Sequence, residues 1–308
     1  MKYLVTGGAG FIGSNIVEEL LKRGEKVRVL DNFSTGKREN ITSFLDQIEL
    51  IEGDIRSYHI VREAVDGIDF ILHEAALPSV PRSIRDPITT NEVNVGGTLN
   101  ILDAAKDAKV ERVVFASSSS VYGDNPELPK HEGMIPNPLS PYAVSKLAGE
   151  KYCGVFSRIY GLETVALRYF NVFGPRQDPS SQYSAVIPKF ITAILNDQQP
   201  IIYGDGEQSR DFTFVANVIE ANVLAANTTN VSGISVNCAC HGRISLNELV
   251  RKVNEILKKN IRPIYKNERI GDIKHSFAKI SEAEKHLGYK PTIDFESGLK
   301  KTILWYTK

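Results

Sequence analysis

Residues 1–16 read MKYLVTGGAGFIGSNI, and this stretch decides the fold. A short β-prone run, Tyr3–Thr6, leads directly into a glycine cluster, and a helical pattern begins where the cluster ends. Gly7, Gly10 and Gly13 are spaced Gly-x-x-Gly-x-x-Gly. Glycine lets the backbone turn tightly and approach a pyrophosphate, which binds the free N–H groups at the start of a helix. Strand, turn and helix together predict a dinucleotide site; the alternative is a plain tight turn.

Outward from this stretch, short apolar runs alternate with helical patterns through the first half of the chain. The runs are apolar on both faces, as buried parallel strands are. Such alternation predicts an α/β fold, a Rossmann-like doubly wound parallel sheet. The predicted strands are 3–6, 26–30, 48–52, 70–73, 112–116 and 164–168, and the predicted helices are 11–23, 57–65, 84–108 and 140–160.

The pattern of predicted elements changes near residue 170, where a loop-like stretch is followed by shorter predicted helices and strands. Because the halves are not joined by a Ser/Gly-rich linker, we expect two closely packed parts. Residues 1–170 are predicted to form the dinucleotide-binding domain, with 164–168 as a further strand. Residues 171–308 are predicted to form a smaller α/β substrate lobe, interleaved with the first part at the cleft. In that lobe the predicted helices are 187–196, 217–226 and 245–258, and the predicted strands are 200–203, 234–237 and 263–265.

The composition excludes several classes of protein. The 308 residues carry 37 Lys+Arg against 37 Asp+Glu, which argues against nucleic-acid binding by charge alone but leaves a local anion site open. Three cysteines imply no disulfide framework, and the six histidines show no metal-ligand spacing. The sequence has neither a membrane-length apolar run nor a signal-peptide pattern. We therefore expect a cytoplasmic protein with no metal and with no nucleic-acid or membrane partner.

Polar residues at predicted strand ends indicate which dinucleotide binds. Asp31 ends the second strand, where a carboxylate can hold the ribose hydroxyls of adenosine and repel a 2′-phosphate, which favours NAD over NADP. Asp54 follows the third strand, where it can accept from the adenine amino group; the alternative is an Asx turn. His73 is predicted to be a hydrogen-bonded structural histidine. Further predicted cofactor contacts are Phe11, Ile12, Asn32, Phe33, Ser34, Ile55, Ala75 and Ala76.

A candidate catalytic set follows this site. Tyr142 and Lys146 lie one turn apart on a predicted helix, and Ser118 lies at a predicted strand end. A neighbouring ammonium and a positive nicotinamide favour the phenolate, so the pKa of Tyr142 is expected to fall and let it act as a general base. Ser118 is placed to donate to the reacting hydroxyl or a developing ketone. The alternative is an ordinary Tyr–Lys pair on a helix surface.

The chain resembles the extended short-chain dehydrogenase/reductase family, and within it the nucleotide-sugar C4-epimerases that act on UDP-glucose and UDP-N-acetylglucosamine. The resemblance covers essentially the whole chain, with the motifs in family order. The residues that carry it are TGGAGFIGSNI (6–16), LDNFSTG (30–36), GDIR (53–56), HEAA (73–76), SSSSVYGD (117–124), SPYAVSK (140–146), RYFNVFGPRQDP (168–179), GDGEQSRDF (204–212) and RIGDIKHS (269–276).

This resemblance implies a role for each matching residue. Ser118, Tyr142 and Lys146 would perform hydride chemistry with a tightly bound NAD that is regenerated in each turnover. Arg210 and Arg269 would bind the diphosphate of a UDP-sugar. The other implied contacts are Tyr169 and the catalytic Tyr142 and Lys146 with the cofactor, and Ser79, Ser118, Tyr142, Asn171, Val186, Lys189, Tyr203, Asp272 and Ser276 with the substrate.

Three serines refine the implied reaction. Ser119 and Ser120 stand where related 4,6-dehydratases and UDP-glucuronate decarboxylases carry carboxylates. Their hydroxyls cannot do carboxylate work, which disfavours dehydration and decarboxylation and leaves C4 epimerisation through a transient 4-keto sugar. Ser276 matches a gatekeeper beside the 2-substituent of the sugar, and its small side chain admits an N-acetyl group. The resemblance therefore implies interconversion of UDP-GlcNAc with UDP-GalNAc and of UDP-Glc with UDP-Gal.

Other functions stay open. One is a related NAD-dependent nucleotide-sugar enzyme, such as a UDP-glucuronate 4-epimerase or a net reductase. A more remote one is a non-catalytic NAD-sensing protein, against which the intact Ser118, Tyr142 and Lys146 argue. The family resemblance also implies a homodimer formed through a helix bundle, for which 84–108 and 140–160 are the candidate helices.

Overall fold

The computed structural model describes residues 1–179, 186–268 and 274–307. The strands in these ranges are β1 (Lys2–Thr6), β2 (Lys26–Asp31), β3 (Glu49–Glu52), β4 (Phe70–His73), β5 (Arg112–Ser118), β6 (Glu163–Tyr169), β7 (Val172–Phe173), β8 (Ile201–Tyr203), β9 (Ser209–Arg210), β10 (Thr213–Phe214), β11 (Ile234–Cys238), β12 (Ile244–Ser245), β13 (Ile264–Lys266) and β14 (His275–Ser276). The α-helices are α1 (Phe11–Lys22), α2 (Tyr58–Val65), α3 (Val80–Arg85), α4 (Pro87–Asn91), α5 (Gly97–Asp107), α6 (Pro141–Tyr160), α7 (Val186–Leu195), α8 (Val215–Asn227), α9 (Leu246–Leu257), α10 (Ser281–Leu287) and α11 (Phe295–Tyr306).

A seven-stranded parallel sheet forms the centre of the molecule, in the order β11–β6–β5–β4–β1–β2–β3. The chain first builds from β1 to β3 on one side, and then places β4 on the other side of β1. This reversal opens a crevice at the carboxyl ends of β1 and β4, where open α/β sheets bind ligands. The remaining described strands pair in small sheets, β7 with β10, β8 with β13, and β9 with β12 and β14.

Helices cover both faces of the sheet. Tyr3 and Val5 lie in the core that includes α1 and α8, while Leu4, between them, lies in the core that includes α2, α5 and α6. Burial of both faces explains why the strands read as continuous apolar runs. None of the helices in the described ranges combines the length and apolar character needed to cross a membrane.

The predicted fold class is confirmed, and most elements predicted in the first half nearly coincide with the observed ones. The single helix predicted over 84–108 is wrong. Its path breaks at Asp86 (φ −137°, ψ 76°), because the proline ring of Pro87 disfavours helical backbone in the residue before it. The Asp86 carboxylate then caps α4 by accepting from the backbone N–H of Thr89 at 3.1 Å. A π-helical turn, Glu92–Gly96, joins α4 to α5.

The second half of the chain contributes to the large sheet. β11 pairs with β6, so that Ile234 aligns with Val165 and Cys238 with Tyr169. α8, from the same half, packs on α1 and on β4, β5 and β6. The boundary at residue 170 and the interleaving of the two parts at the cleft both stay predictions.

A buried ion pair ties α6 to the sheet. Arg168 on β6 donates to both oxygens of Glu150 on α6, at 2.8 Å from Nε and 2.7 Å from Nη2. Ser117 Oγ also donates to Glu150, at 2.5 Å, and Arg168 Nη1 donates to the Tyr122 hydroxyl at 2.9 Å. The two charged side chains are only 6% and 2% exposed. Because the network satisfies both charges, it fixes the helix that carries the predicted catalytic pair.

Breaking this pair tests its role in stability. Glu150→Gln is expected to lower the free energy of unfolding by about 3 kcal/mol, since Arg168 stays buried without a neutralising partner. Urea unfolding followed by circular dichroism measures the change. The matched control is Glu255→Gln, which removes the same charge from the exposed pair with Arg251 and is expected to leave the unfolding midpoint unchanged. Equal effects of the two substitutions would contradict this account.

Candidate active site

The glycine loop lies at the edge of the crevice. Gly7 has φ +69°, and a Cβ atom there would lie 2.8 Å from the backbone of Ala75. A Cβ atom at Gly13 would lie 2.2 Å from the carbonyl oxygen of Gly7. Helix α1 begins after Gly10, which has no side chain to cap it, so N–H groups of the first turn point outward from the loop. The loop can therefore pack this closely only with glycine at these positions, and the free N–H groups at the start of α1 suit a pyrophosphate.

Asp31 supports this loop from the end of β2. Its Oδ2 accepts from the backbone N–H of Ala9 at 2.9 Å, and its Oδ1 accepts from the N–H of Phe33 at 2.8 Å. Burial raises the pKa of this carboxyl, and the two amide hydrogen bonds oppose the rise. Each oxygen retains a second lone pair, so the predicted hydrogen bonds to ribose hydroxyls remain available.

Asp54 already has partners within the protein. The backbone N–H of Arg56 donates to Asp54 Oδ1 at 2.9 Å, which is the Asx turn considered as the alternative. Hydrogen bonds from the Arg56 and Asn32 side chains also reach the carboxylate, and the bond from Arg56 is the main cause of its lowered pKa. The adenine contact of Asp54 stays a prediction.

His73 is the structural histidine that we predicted. Its Nδ1 lies 2.7 Å from Thr6 Oγ1, and its Nε2 lies 3.0 Å from Thr98 Oγ1. Burial lowers its pKa to about 3, so the ring is neutral at physiological pH. The other predicted cofactor residues lie at the same edge of the sheet. Phe11 and Ile12 begin α1, which follows β1, and Tyr169 ends β6. Phe33 and Ser34 follow β2, Ile55 follows β3, and Ala75 and Ala76 follow β4.

The structure brings the three predicted catalytic residues together. Ser118 ends β5, where its Oγ accepts from the backbone N–H of Ser120 at 3.1 Å, and Tyr142 lies in the first turn of α6. Lys146 lies one turn further along α6, with its Nζ 5.9 Å from the centre of the Tyr142 ring. The Lys146 ammonium is buried and donates to the carbonyl oxygen of Ala116 at 2.7 Å. The three side chains therefore share the carboxyl edge of the sheet beside the glycine loop.

We expected the pKa of Tyr142 to be lowered, but the groups of the protein itself raise it. Burial raises it to about 12, the hydrogen bond from Ser118 lowers it in part, and the charge of Glu74 raises it further. We expected Lys146 to lower this pKa, but its ammonium is bonded to Ala116 and not to the phenol. A lowered pKa therefore depends on the positive nicotinamide, the second charge in the prediction.

A pocket of about 560 Å³ opens between α7 and the short strands of the second half. Its lining includes the predicted substrate residues Asn171, Val186, Lys189, Tyr203 and Arg210. The guanidinium of Arg210 donates to the backbone carbonyls of Ser209 and Lys274, at 3.0 and 3.1 Å. The wall also contains many apolar side chains, among them Phe173, Ile187, Phe190, Ile201 and Phe212. An apolar slot beside cationic side chains suits a nucleotide.

The remaining predicted substrate residues divide three ways. Ser276 on β14 aligns with Arg210 on β9, a residue of the pocket lining, and its role as a gatekeeper stays a prediction. Ser79 is buried at the start of α3, where its Oγ accepts from the N–H of Arg82 at 3.1 Å, a capping role that sequence reasoning missed. Arg269 and Asp272 lie outside the described residues.

Sequence reasoning assigned no role to Glu74. This carboxylate follows β4, and its Oε1 accepts from the Tyr169 hydroxyl at 2.6 Å. Asn222 Nδ2 donates to the same hydroxyl at 2.7 Å. A charged residue between a buried strand and two alanines was the signal that could have revealed it.

Comparison with known proteins agrees with this geometry. The model of the NAD dependent epimerase/dehydratase family matches residues 3–239. A putative UDP-glucose 4-epimerase of Methanocaldococcus jannaschii is 40% identical over 304 residues, which cover 98% of this chain and 97% of that protein.

Two solved structures have the same fold throughout. The UDP-N-acetylglucosamine 4-epimerase of Methanobrevibacter ruminantium, in complex with UDP-N-acetylmuramic acid, is 43% identical with a TM-score of 0.95, covering 99% of this chain and 98% of that one. The UDP-glucose 4-epimerase of Thermotoga maritima, with UDP-glucose, is 35% identical with a TM-score of 0.95, covering 100% of this chain and 99% of that one.

Proposed function

This chain belongs to the NAD dependent epimerase/dehydratase family, and we propose that it is an isomerase that uses NAD to invert C4 of UDP-hexoses. The two substrate pairs are UDP-GlcNAc with UDP-GalNAc and UDP-Glc with UDP-Gal. The observation that carries the proposal is that Ser118, Tyr142 and Lys146 lie together at the carboxyl edge of the sheet. Both substrate pairs are supported by its relatives, which include a UDP-N-acetylglucosamine 4-epimerase and UDP-glucose 4-epimerases.

NAD fits the residues that the crevice presents. The glycine loop would hold the pyrophosphate, and Asp31 would hold the adenosine ribose. When bound, NAD supplies the redox chemistry by taking a hydride from C4 and returning it. Lys146 would lie near the nicotinamide end, since its ammonium is at the carboxyl end of β5.

The protein supplies the acid–base groups and the position of the sugar. Tyr142 Oη would take the proton of the 4-hydroxyl as C4 is oxidised and return it to the same oxygen as hydride is added to the other face of C4. Ser118 Oγ, at the end of β5, would donate to the oxygen of the 4-keto sugar. The nucleotide pocket, with Arg210 and Lys189 in its lining, keeps the sugar tethered by its diphosphate while the sugar turns its other face.

The segment after Ser118 favours epimerisation over the related eliminations. Ser119 and Ser120 begin a short 3₁₀ turn, Ser119–Tyr122, directly after β5. Both side chains are hydroxyls, so these positions provide no carboxylate to expel a 6-hydroxyl or to assist loss of carbon dioxide. UDP-glucuronate 4-epimerisation and net reduction remain outcomes of the substrate test.

A homodimer through α3, α4 and α6 is also part of the proposal. These helices pack on one another and leave large apolar side chains exposed. The exposed apolar residues of these helices are Val80, Ile84, Ile88, Val144, Val155, Ile159 and Tyr160. Such a patch on adjacent helices supports a bundle between two copies.

The reaction is tested by incubating the protein separately with UDP-GlcNAc, UDP-Glc and UDP-glucuronate, and separating the products. Conversion of the first two is expected, with no steady rise or fall in NADH absorbance. Tyr142→Phe is expected to slow both conversions by about a thousandfold, because the general base is lost. The affinity of this variant for NAD, measured by calorimetry, should be unchanged.

The matched control for this substitution is Tyr160→Phe, which removes a hydroxyl from an exposed tyrosine at the other end of α6. It is expected to leave conversion unchanged. Full activity of Tyr142→Phe, conversion of UDP-glucuronate alone, or continuous consumption of NADH would contradict the proposed function.

Ser276→Tyr tests the choice of sugar. A tyrosine beside Arg210 would occupy the space for an N-acetyl group, so UDP-GlcNAc turnover should fall by about a hundredfold while UDP-Glc turnover stays. Ser276→Ala, which keeps the space, is the control. If UDP-GlcNAc turnover survives Ser276→Tyr, Ser276 is not the gatekeeper.

A further inference from the structure

Asp211 is a buried carboxylate within the wall of the nucleotide pocket. Arg210, which ends β9, and Phe212 both line the pocket, and Asp211 lies between them in the chain. The Asp211 side chain is fully buried, at 0% exposed. A buried carboxylate is costly unless hydrogen bonds satisfy it. The partners of this carboxylate therefore indicate what it does for the pocket.

The carboxylate of Asp211 holds two segments that are distant from it in the sequence. Its Oδ1 accepts from the backbone N–H of Cys240, just beyond the end of β11, at 3.0 Å. Its Oδ2 accepts from the backbone N–H of Ala278, just beyond β14, at 3.3 Å. Burial raises the pKa of this carboxyl to about 6, and the amide hydrogen bonds oppose the rise, so both oxygens are acceptors at neutral pH. One side chain thus joins the segment after β9 to the segments after β11 and β14.

The backbone of Asp211 contacts residues that we predicted to bind the substrate. Its N–H donates to the carbonyl oxygen of Ser276 at 2.7 Å. Its own carbonyl oxygen accepts from Asn171 Nδ2 at 3.1 Å, and Arg210 is the preceding residue in the chain. A shift of Asp211 would therefore displace three predicted substrate residues together.

We propose that Asp211 is a positioning residue for the UDP-sugar, and that its carboxylate fixes the places of Arg210, Asn171 and Ser276 around the pocket. Because the carboxylate is buried and bonded to backbone amides, it acts on the ligand through these neighbours. Its effect is expected on nucleotide binding and not on the hydride step. This inference rests on the proposed function for the identity of the ligand.

Asp211→Asn tests this role sharply, because it changes the hydrogen bonding of the side chain with almost no change in its size. An amide side chain has one accepting oxygen and one NH₂ group that only donates. The backbone N–H of Cys240 or that of Ala278 would then face a second donor inside the protein. The segment must shift to separate the two donors, and the predicted substrate residues shift with it.

The test is a calorimetric titration of the NAD-loaded protein with UDP, well below the unfolding temperature. Asp211→Asn is expected to raise the Kd of UDP about tenfold and the KM of UDP-Glc by a similar factor, while kcat and the Kd of NAD stay unchanged. Glu132→Gln is the matched control. It neutralises another carboxyl that accepts from a backbone N–H, that of Asn237 on β11 at 2.7 Å, and it should leave the Kd of UDP unchanged.

A second measurement uses the unaltered protein and decides the matter if Asp211→Asn does not fold. Bound UDP should slow hydrogen exchange of the Cys240 and Ala278 amides more than that of the Asn237 amide, because coupling between two sites is reciprocal. An unchanged Kd of UDP in the folded variant, an equal rise in Glu132→Gln, or equal protection of the three amides overturns the inference. UDP binding that responds as expected, with no epimerisation of any of the three nucleotide sugars, rejects only the proposed function.

Discussion

All strands of the large sheet run in the same direction, and the site depends on this constraint. Parallel strands end at one edge, so the loops that follow β1 to β6 meet there although they are distant in the chain. Gly7, Asp31, Glu74, Ser118 and Tyr169 each lie at or directly after a different strand end. The reversal of strand order between β1 and β4 then separates the loops enough to admit a ligand.

Helix α6 turns this edge into a catalytic site, and its position is fixed by polar contacts. The Arg168–Glu150 pair holds the middle of the helix against β6. Nearer the start of the helix, Lys146 donates to a backbone carbonyl of β5. Burying three charged groups is costly unless each has partners. The same burial that costs stability is what makes the ionisation of Tyr142 and Lys146 sensitive to neighbouring charge.

Local patterns allowed much of this molecule to be predicted from its sequence. Some features are local, and short sequence patterns predicted their positions. They are the glycine loop, the buried strands and the Tyr142–Lys146 pair. Pro87 could also have revealed the break in the helix predicted over 84–108. β11 could not be placed, because a strand of five residues does not show which sheet it joins. The contact of Glu74 with Tyr169 is likewise a long-range property.

The central claim is that C4 itself is oxidised and then reduced on its other face within one turnover. Incubating the NAD-loaded protein with UDP-GlcNAc that carries deuterium at C4 tests it most directly, with the product examined by NMR and mass spectrometry. The account predicts UDP-GalNAc that keeps its deuterium at C4, with no net build-up of NADH. Loss of the deuterium to water, or stoichiometric accumulation of NADH, would contradict it.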